Sequence, residues 1–429
     1  MKLRFDKVKI REWLIVIGPA ALLVLVAFAI TTRFIEPAPP RTIVMTAGAE
    51  GGAYDSFARK YKGILARDDI TLDIRSSAGA GQNLERLRDV DSEFSVGFVQ
   101  SGVGSSDADG HLLSLGRMYH EPLWVFHRLP GNVDRLPQLQ GKRLAIGAPG
   151  SGTRSLALQL LAANGIGGSA AILLELGSAD AAAALLAGKA DAAFMVASPE
   201  AAAVQKMLRE PGVKLMSFAH AEAYARRFPF LSKVVLPQGM IDFARNIPAQ
   251  DMVLISPTAN LVIKNDLHPA LIFALTQTAS AVHGKAGVFQ AEGEFPAGKD
   301  AEFPMSADAA RYYKSGPPFL QRYLPFWIAV LADRLLVLLL PLLTVLLPLM
   351  KFAPMIYGWR IRRRMVHWYA ELKALEQRMG KAPADSDAHL ADLARIEEAV
   401  VRLPIPVGFS DQHYELRSNI DFVRRRLAG

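Results

Sequence analysis

The chain has 429 residues, room for about two to three domains; it is 51% hydrophobic with a mean hydropathy of +0.18, and it has no cysteine. Disulfides, thiolate-held metals, iron–sulfur clusters and thiol nucleophiles are therefore excluded. The net charge of +8 sits at the ends, with five Lys/Arg against two acids in residues 1–12 and fourteen against ten in residues 351–429, so the nearly neutral middle has no basic face for nucleic acid.

Residues 1–12 lead into an apolar run at 13–32, about the length that spans a bilayer. The preceding Lys2, Arg4, Lys7, Lys9 and Arg11 place residues 1–12 in the cytoplasm by the positive-inside rule. A secretory signal peptide is the competing reading, because Ala27-Phe28-Ala29 resembles a cleavage site.

From residue 41 to 323, short β-rich runs alternate with amphipathic helical runs. RTIVMTAG, ITLDIRSS, FSVGFVQS, EPLWVFHR, KRLAIGAPG, AAILLELG, DAAFMVA, VKLMSF and MVLISPTANLVIK read as strands. AYDSFARKYKGILARD, QNLERLRDV, TRSLALQLLAANG, SADAAAALLAGK, SPEAAAVQKMLRE and HPALIFALTQTASAVHG read as helices. Such alternation implies βαβ units and parallel sheets, and a stretch of this size implies two lobes.

Five strands run into small or Gly-rich loops that open helices: TAGAEGGAYDS, RSSAGAGQNLE, VQSGVGSS, GAPGSGTRS and MVASPEAA. Ligands of open α/β sheets bind outside the carboxyl ends of strands, and helix N-termini favour anions. The loops therefore point to a small anionic ligand such as a carboxylate.

Catalytic patterns fail. GAPGSGTRS has Thr153 after Gly152 where a phosphate loop needs Lys, and Pro149 where a G-x-S-x-G elbow needs Gly. The pairs Gly79/Gly81 and Gly102/Gly104 lack the third glycine of a dinucleotide fingerprint. The nine His show no metal-binding spacing, and His120 and His127 read as surface or hinge positions. Asp107, Asp109 and Asp191 read as solvated loop acids. A binding module without catalytic residues, cofactor or metal is the expectation, with an enzyme a distant alternative.

A second apolar run at 335–359 is followed by RIRRR, which makes its C-terminal side cytoplasmic; an interfacial or re-entrant helix is the alternative. Residues 360–429 read as a small cytoplasmic helical tail, either a plain hairpin or a docking site for a cytoplasmic partner.

In order, GGAY, AGAGQNLERL, SVGFVQSG, EPLWVF, LQGKRLAIGAPGSGTRSLALQLLAANGI, ALLAGKADAAFMVASPEA and ISPTANLVIKNDLHPAL resemble the TAXI-type solute-binding proteins of TRAP (tripartite ATP-independent periplasmic) transporters. YYKSGPPFLQRYLPFW and the second apolar run are similar to the membrane-anchored subgroup of that family.

The resemblance implies an α/β, two-lobed periplasmic binding-protein fold (type II-like) with flanking transmembrane helices and a small C-terminal helical tail. Lobe one would comprise about residues 41–122 and 250–323, and lobe two about 125–245. A small organic anion, a carboxylate or acidic amino acid, would sit between them. The partners would be a TRAP-type membrane permease and the inner membrane, with the binding domain periplasmic, both termini cytoplasmic and no nucleic acid.

Carried over by position, Gly52, Ala53 and Tyr54 would meet the ligand's polar end, and Gln82 and Asn83 would offer amides to a carboxylate. Gln100 and Ser101 would end a strand at the cleft. Ser151, Gly152, Thr153 and Arg154 would form the second-lobe anion loop, with Arg154 as countercharge, and Phe194 and Met195 an apolar wall. Two departures stand out. Asp55 occupies the place where many members have an aromatic. A protein fixed at both ends does not shuttle, so it either docks a neighbouring permease or relays occupancy inward as a sensor.

Overall fold

A computed structural model describes residues 21–26, 28–29, 38–104, 110–167, 170–298, 302–317, 319–320, 323–381, 386–403 and 409–428. Asp107 and Asp109, the basic residues 1–12 and most of the apolar run 13–32 lie outside them. The chain forms two compact units, Pro37–Leu331 and a second that includes Ala332–Gly429.

In the larger unit the chain runs β1 (Thr42–Thr46), α1 (Ala53–Leu65), β2 (Thr71–Arg75), α2 (Ala80–Arg88), β3 (Val96–Gln100) and β4 (Leu112–His120). It continues with β5 (Leu123–His127), β6 (Arg143–Ala145), α3 (Gly152–Ala163), β7 (Ile172–Leu174), α4 (Ser178–Leu186), β8 (Ala192–Val196), α5 (Ala202–Arg209) and β9 (Lys214–Leu215). Then come α6 (Ala221–Arg227), β10 (Ser232–Leu236), β11 (Met252–Ser256), β12 (Thr258–Lys264), α7 (Pro269–His283) and α8 (Ala307–Ser315).

Two five-stranded sheets share one plan. The first has the order β2-β1-β3-β12-β4 and the second β7-β6-β8-β5-β9. Three strands of each are parallel, as βαβ units require. The fourth is antiparallel and arrives from the other lobe: β5 against β8, and β12 against β3. The sheets are therefore mixed rather than parallel throughout. The run MVLISPTANLVIK, which reads as one strand, is two, because Pro257 interrupts it; β11 pairs with β10 in lobe two while β12 enters the sheet of lobe one. Pattern reading also passed over β4, whose nine residues are buried nearly throughout and so lack alternation.

Each lobe has its own apolar core. That of lobe one is centred on Tyr61, Phe98, Met45 and Leu72, and that of lobe two on Trp124, Phe126 and Phe194. Burial of each such side chain contributes about 1.5–3 kcal/mol.

The smaller unit takes up most of α9 (Phe326–Lys381), together with α10 (Ser386–Val401) and α11 (Ser410–Ala428). Leu372, Leu375, Leu393, Ile396, Val400, Leu416, Ile420 and Val423 bury one another where the three helices meet. The apolar run 335–359 is helical within α9 and exposes Leu336, Leu347, Met355 and Trp359, among others. Among the described residues, no helix is long and apolar enough to cross a membrane, so the two expected spans are not supported there.

Candidate functional site

A cavity of about 410 Å³ opens at the carboxyl ends of the parallel strands of both sheets. Five helix N-termini reach its wall: Gly52 and Ala53 of α1, Gly79 and Ala80 of α2, Ser151 to Thr153 of α3, Gly177 to Asp180 of α4, and Ala201 to Val204 of α5. The first-turn amide N–H groups of a helix have no partner within the helix, and each N-terminus carries the positive end of a helix dipole. Gln100, Tyr54 and Glu121 complete it on the side of lobe one, and Val196 and Ala197 at the end of β8 on the side of lobe two.

A second compartment of about 480 Å³ shares Gly51, Gly52, Ala53, Ala201 and Ala202 with the first and continues to Phe57, Lys60, Tyr119 and His283. A more open depression of about 630 Å³, lined by Arg117, His120, residues 232–235 and parts of 287–297, receives no helix N-terminus.

The lobes touch beside the first cavity. Gln100 Nε2 donates to the Gly152 carbonyl at 3.2 Å, and the Gln82 N–H donates to the Gly150 carbonyl at 3.2 Å. The approach is backbone on backbone: a Cβ on Gly81 would lie 2.8 Å from Gly150 O. Gly79 (φ 129°) and Gly150 (φ 77°) hold backbone conformations that side chains rarely adopt, which accounts for the glycines in both loops.

Seven of the thirteen expected ligand residues line the cavity: Gly52, Ala53, Tyr54, Gln100, Ser151, Gly152 and Thr153. Ser151 caps α3, its hydroxyl accepting from the Arg154 N–H at 3.2 Å, and Thr153 Oγ1 accepts from the Val196 N–H at 3.1 Å.

The other six are turned to the protein. Asn83 is buried; its Oδ1 accepts from the Thr46 and Ser77 hydroxyls, both at 2.6 Å, and its Nδ2 donates to Phe98 O at 2.9 Å. Gln82 Oε1 takes the Ala78 N–H, and Ser101 Oγ accepts from Asn260 Nδ2 at 2.9 Å. Phe194 and Met195 lie in the core of lobe two. Arg154, expected as the countercharge, places Nη2 2.6 Å from Glu175 Oε1.

Other sequence expectations meet a similar outcome. Asp191 is no free loop acid but a fork partner of Arg143, at 2.7 and 3.1 Å. His127 is buried in β5, and the His120 side chain is only 10% exposed, with its ring against the edge of Phe295. Asp55, in place of an aromatic, closes the glycine turn by accepting the Gly51 N–H at 3.0 Å and pairing with Arg59 at 3.0 Å.

The residue that pattern reading missed is Glu121. It stands where the chain crosses from β4 to β5 and is 3% exposed. Tyr54 Oη donates to its Oε2 at 2.9 Å and Tyr119 Oη to its Oε1 at 3.4 Å. Burial pushes its carboxyl up to about 8, against the opposing effect of the two hydroxyls. An acid inside the apolar stretch MYHEPLWVF was the available signal. No lysine or arginine is among the described residues that line this cavity, and the described residues hold no cluster of metal-binding groups.

Two mixed α/β sheets, joined by crossing strands with a cavity between them, define a periplasmic-binding-protein-like fold. The chain belongs to the NMT1-like family, whose model matches residues 45–315.

Among solved structures it is similar to a protein from Bordetella bronchiseptica RB50 (18% identity, 64% of this chain and 80% of that one, TM-score 0.41). Others are the periplasmic aliphatic sulphonate binding protein SsuA from Escherichia coli (15%, 75% and 94%, TM-score 0.37) and lipoprotein Tp32 from Treponema pallidum (18%, 56% and 90%, TM-score 0.33). At these TM-scores the likenesses say nothing of function.

Proposed function

We propose that this protein captures a small organic anion, a carboxylate or acidic amino acid, in the cavity between its lobes. The observation that carries this reading is the convergence of five helix N-termini on one 410 Å³ cavity. Such a wall offers several amide donors and a positive field without a lysine or arginine. Gly52, Ala53, Tyr54, Gln100, Ser151, Gly152 and Thr153 supply the polar contacts.

The sequence resemblance to TAXI-type proteins supports a role as the solute-binding subunit of a TRAP-type uptake system. The binding domain then lies in the periplasm and hands its ligand to a membrane permease. The exposed apolar face of residues 335–359, with Arg360 and Arg362 to Arg364 following, supports attachment to the inner membrane. One observation favours a second reading, a sensor relaying occupancy to a cytoplasmic partner: α9, α10 and α11 have an apolar core of their own.

Thermal unfolding of the full-length protein against succinate, glutarate, 2-oxoglutarate, L-glutamate, sugars and nucleotides tests the proposal. A ligand at a hundred times its dissociation constant adds about 2.7 kcal/mol of stability. Stabilisation by a carboxylate supports it; stabilisation by sugars or nucleotides alone removes it.

A further inference from the structure

The cavity poses a problem for an anion receptor. Its only described ionisable side chains besides tyrosine are Glu50, Glu121 and Asp180, all acidic. Glu50 is 87% exposed at its side chain and turns toward Arg59. Glu121 is the buried one, set in the wall with the ligand space.

Aromatic and uncharged groups surround its carboxyl. Tyr54 comes from α1 and Tyr119 from β4. His283 of α7 stacks on the Tyr119 ring at 5.4 Å and burial holds it neutral, at about 3. The neighbouring His120 turns its Nε2 to Glu294, and the end of β8 brings uncharged Val196 and, just past it, Ala197. Lys60 of α1 lines the adjoining compartment with Tyr119 and His283, and among the described residues no cation pairs with the carboxyl.

Resting on the anion-capture reading above, we propose that Glu121 is a specificity-determining residue that binds in its protonated form. It donates a hydrogen bond from Oε1 to a carboxylate of the ligand. Oε2 is engaged by Tyr54 at 2.9 Å, whereas Oε1 has only the long 3.4 Å contact from Tyr119 and is the oxygen left to hold the proton. A carboxylic acid kept neutral by burial is a strong neutral donor, and next to an anion it gives up its proton still less readily. The cavity thereby gains a donor without a fixed positive charge, and capture is coupled to the proton. At a pH where free Glu121 is ionised, binding takes a proton up.

The test is isothermal titration of the full-length protein with glutarate and L-glutamate, which differ only by the α-ammonium group, at about pH 6.5 and about pH 9.5 in buffers of different ionisation heat. The expected result is a fall of about 30-fold in glutarate affinity across that range, with proton uptake on the alkaline side. Glu121→Gln keeps a donor but does not titrate, so it should bind glutarate several-fold more weakly and equally at both pH values. Tyr54→Phe leaves Glu121 in place and removes a bond that favours its ionised form, so it should move the fall to higher pH. In the ligand-free protein at neutral pH, the infrared carbonyl band of a protonated carboxyl should be present and should be lost in Glu121→Gln.

Glutarate affinity that is level or rises with pH overturns the inference and leaves anion capture standing. So does capture of L-glutamate with proton release that Glu121→Gln abolishes, because Glu121 would then be holding the ammonium as a carboxylate. If succinate, glutarate, 2-oxoglutarate and L-glutamate all fail to bind at any pH, anion capture falls and the inference falls with it.

Discussion

Gln100 at the end of β3 and Gly152 at the start of α3 belong to different lobes, yet Gln100 Nε2 donates to the Gly152 carbonyl at 3.2 Å. This bond lies beside the Gly79–Gly81 and Gly150–Gly152 backbones, which pack on each other without side chains between them. The contact therefore depends on the absence of Cβ atoms.

Gly81→Ala tests this directly. The new Cβ would stand 2.8 Å from Gly150 O, a backbone atom with little freedom to yield. Within a helix, alanine is favoured over glycine by about 0.5–1 kcal/mol, so the variant should fold at least as well as the parent. The lobes, however, should no longer meet. The expected result is a larger radius of gyration by X-ray scattering and ligand affinity down about tenfold, equivalent to 1.4 kcal/mol. An unchanged radius and affinity would mean that the glycine contact does not limit closure.

Arg154→Ala should be nearly silent. The guanidinium is held by Glu175 at 2.6 Å with both side chains partly exposed, 26% and 49%. Such pairs contribute about 0–1 kcal/mol. Ser151→Ala, which removes the α3 cap, should cost more, about 1 kcal/mol, and should also weaken ligand binding. Denaturant midpoints and carboxylate titration of the two variants check the order. A large loss of affinity in Arg154→Ala alone would return that side chain to the site.

The contrast between Arg154 and Glu121 shows where sequence reading succeeds and where it stops. The loops GGAYDS, SAGAGQ and APGSGTRS were legible because glycines before a helix carry a local backbone meaning, and the structure brings all three to one cavity. The alternation of strands and helices was legible for the same local reason. Side-chain direction is not local. Arg154 follows the anion loop in sequence, but the turn of α3 carries it to Glu175. Phe194 and Met195 lie in a strand within two residues of the cavity-lining Val196, yet they are buried in the core. Glu121 becomes a buried wall residue through Tyr54, which α1 carries to it from 67 positions away in sequence, a non-local fact that no pattern around Glu121 shows. The division of residues 252–264 between two sheets has Pro257 as its local signal, inside a run whose apolar pattern reads as one strand.

Asn83 should behave as a structural residue. Its amide joins β1 through Thr46, the loop after β2 through Ser77, and β3 through the Phe98 carbonyl. Asn83→Ala leaves these buried partners short of bonds, at about 1–3 kcal/mol for each group stranded. A drop of several kcal/mol in unfolding free energy is the expected outcome, measured by urea denaturation with the slope unchanged. A variant of parental stability that no longer binds carboxylates would instead place Asn83 among the ligand contacts.

Stability should depend on pH through two buried groups with opposite signs. Glu121 is pushed up to about 8 by burial. Its stabilising contribution is complete below the unfolded value near 4.5 and is lost as pH rises toward 8. His283 is pushed down to about 3, first by burial and then by the charge of Lys60, and its Nε2 has no hydrogen-bond partner. Its contribution is complete above the unfolded value near 6.5 and is lost as pH falls toward 3. The two slopes oppose each other between about pH 4.5 and 6.5, leaving a plateau there, with stability declining on either side. Denaturation across this range should show Glu121→Gln flattening the alkaline decline and His283→Phe flattening the acid one. The histidine variant should lose little at neutral pH, because the ring that stacks on Tyr119 is kept while an unpartnered nitrogen is removed. An alkaline decline that persists unchanged in Glu121→Gln would show that Glu121 is already ionised in the folded protein, and would weaken the case that it meets its ligand as a proton donor.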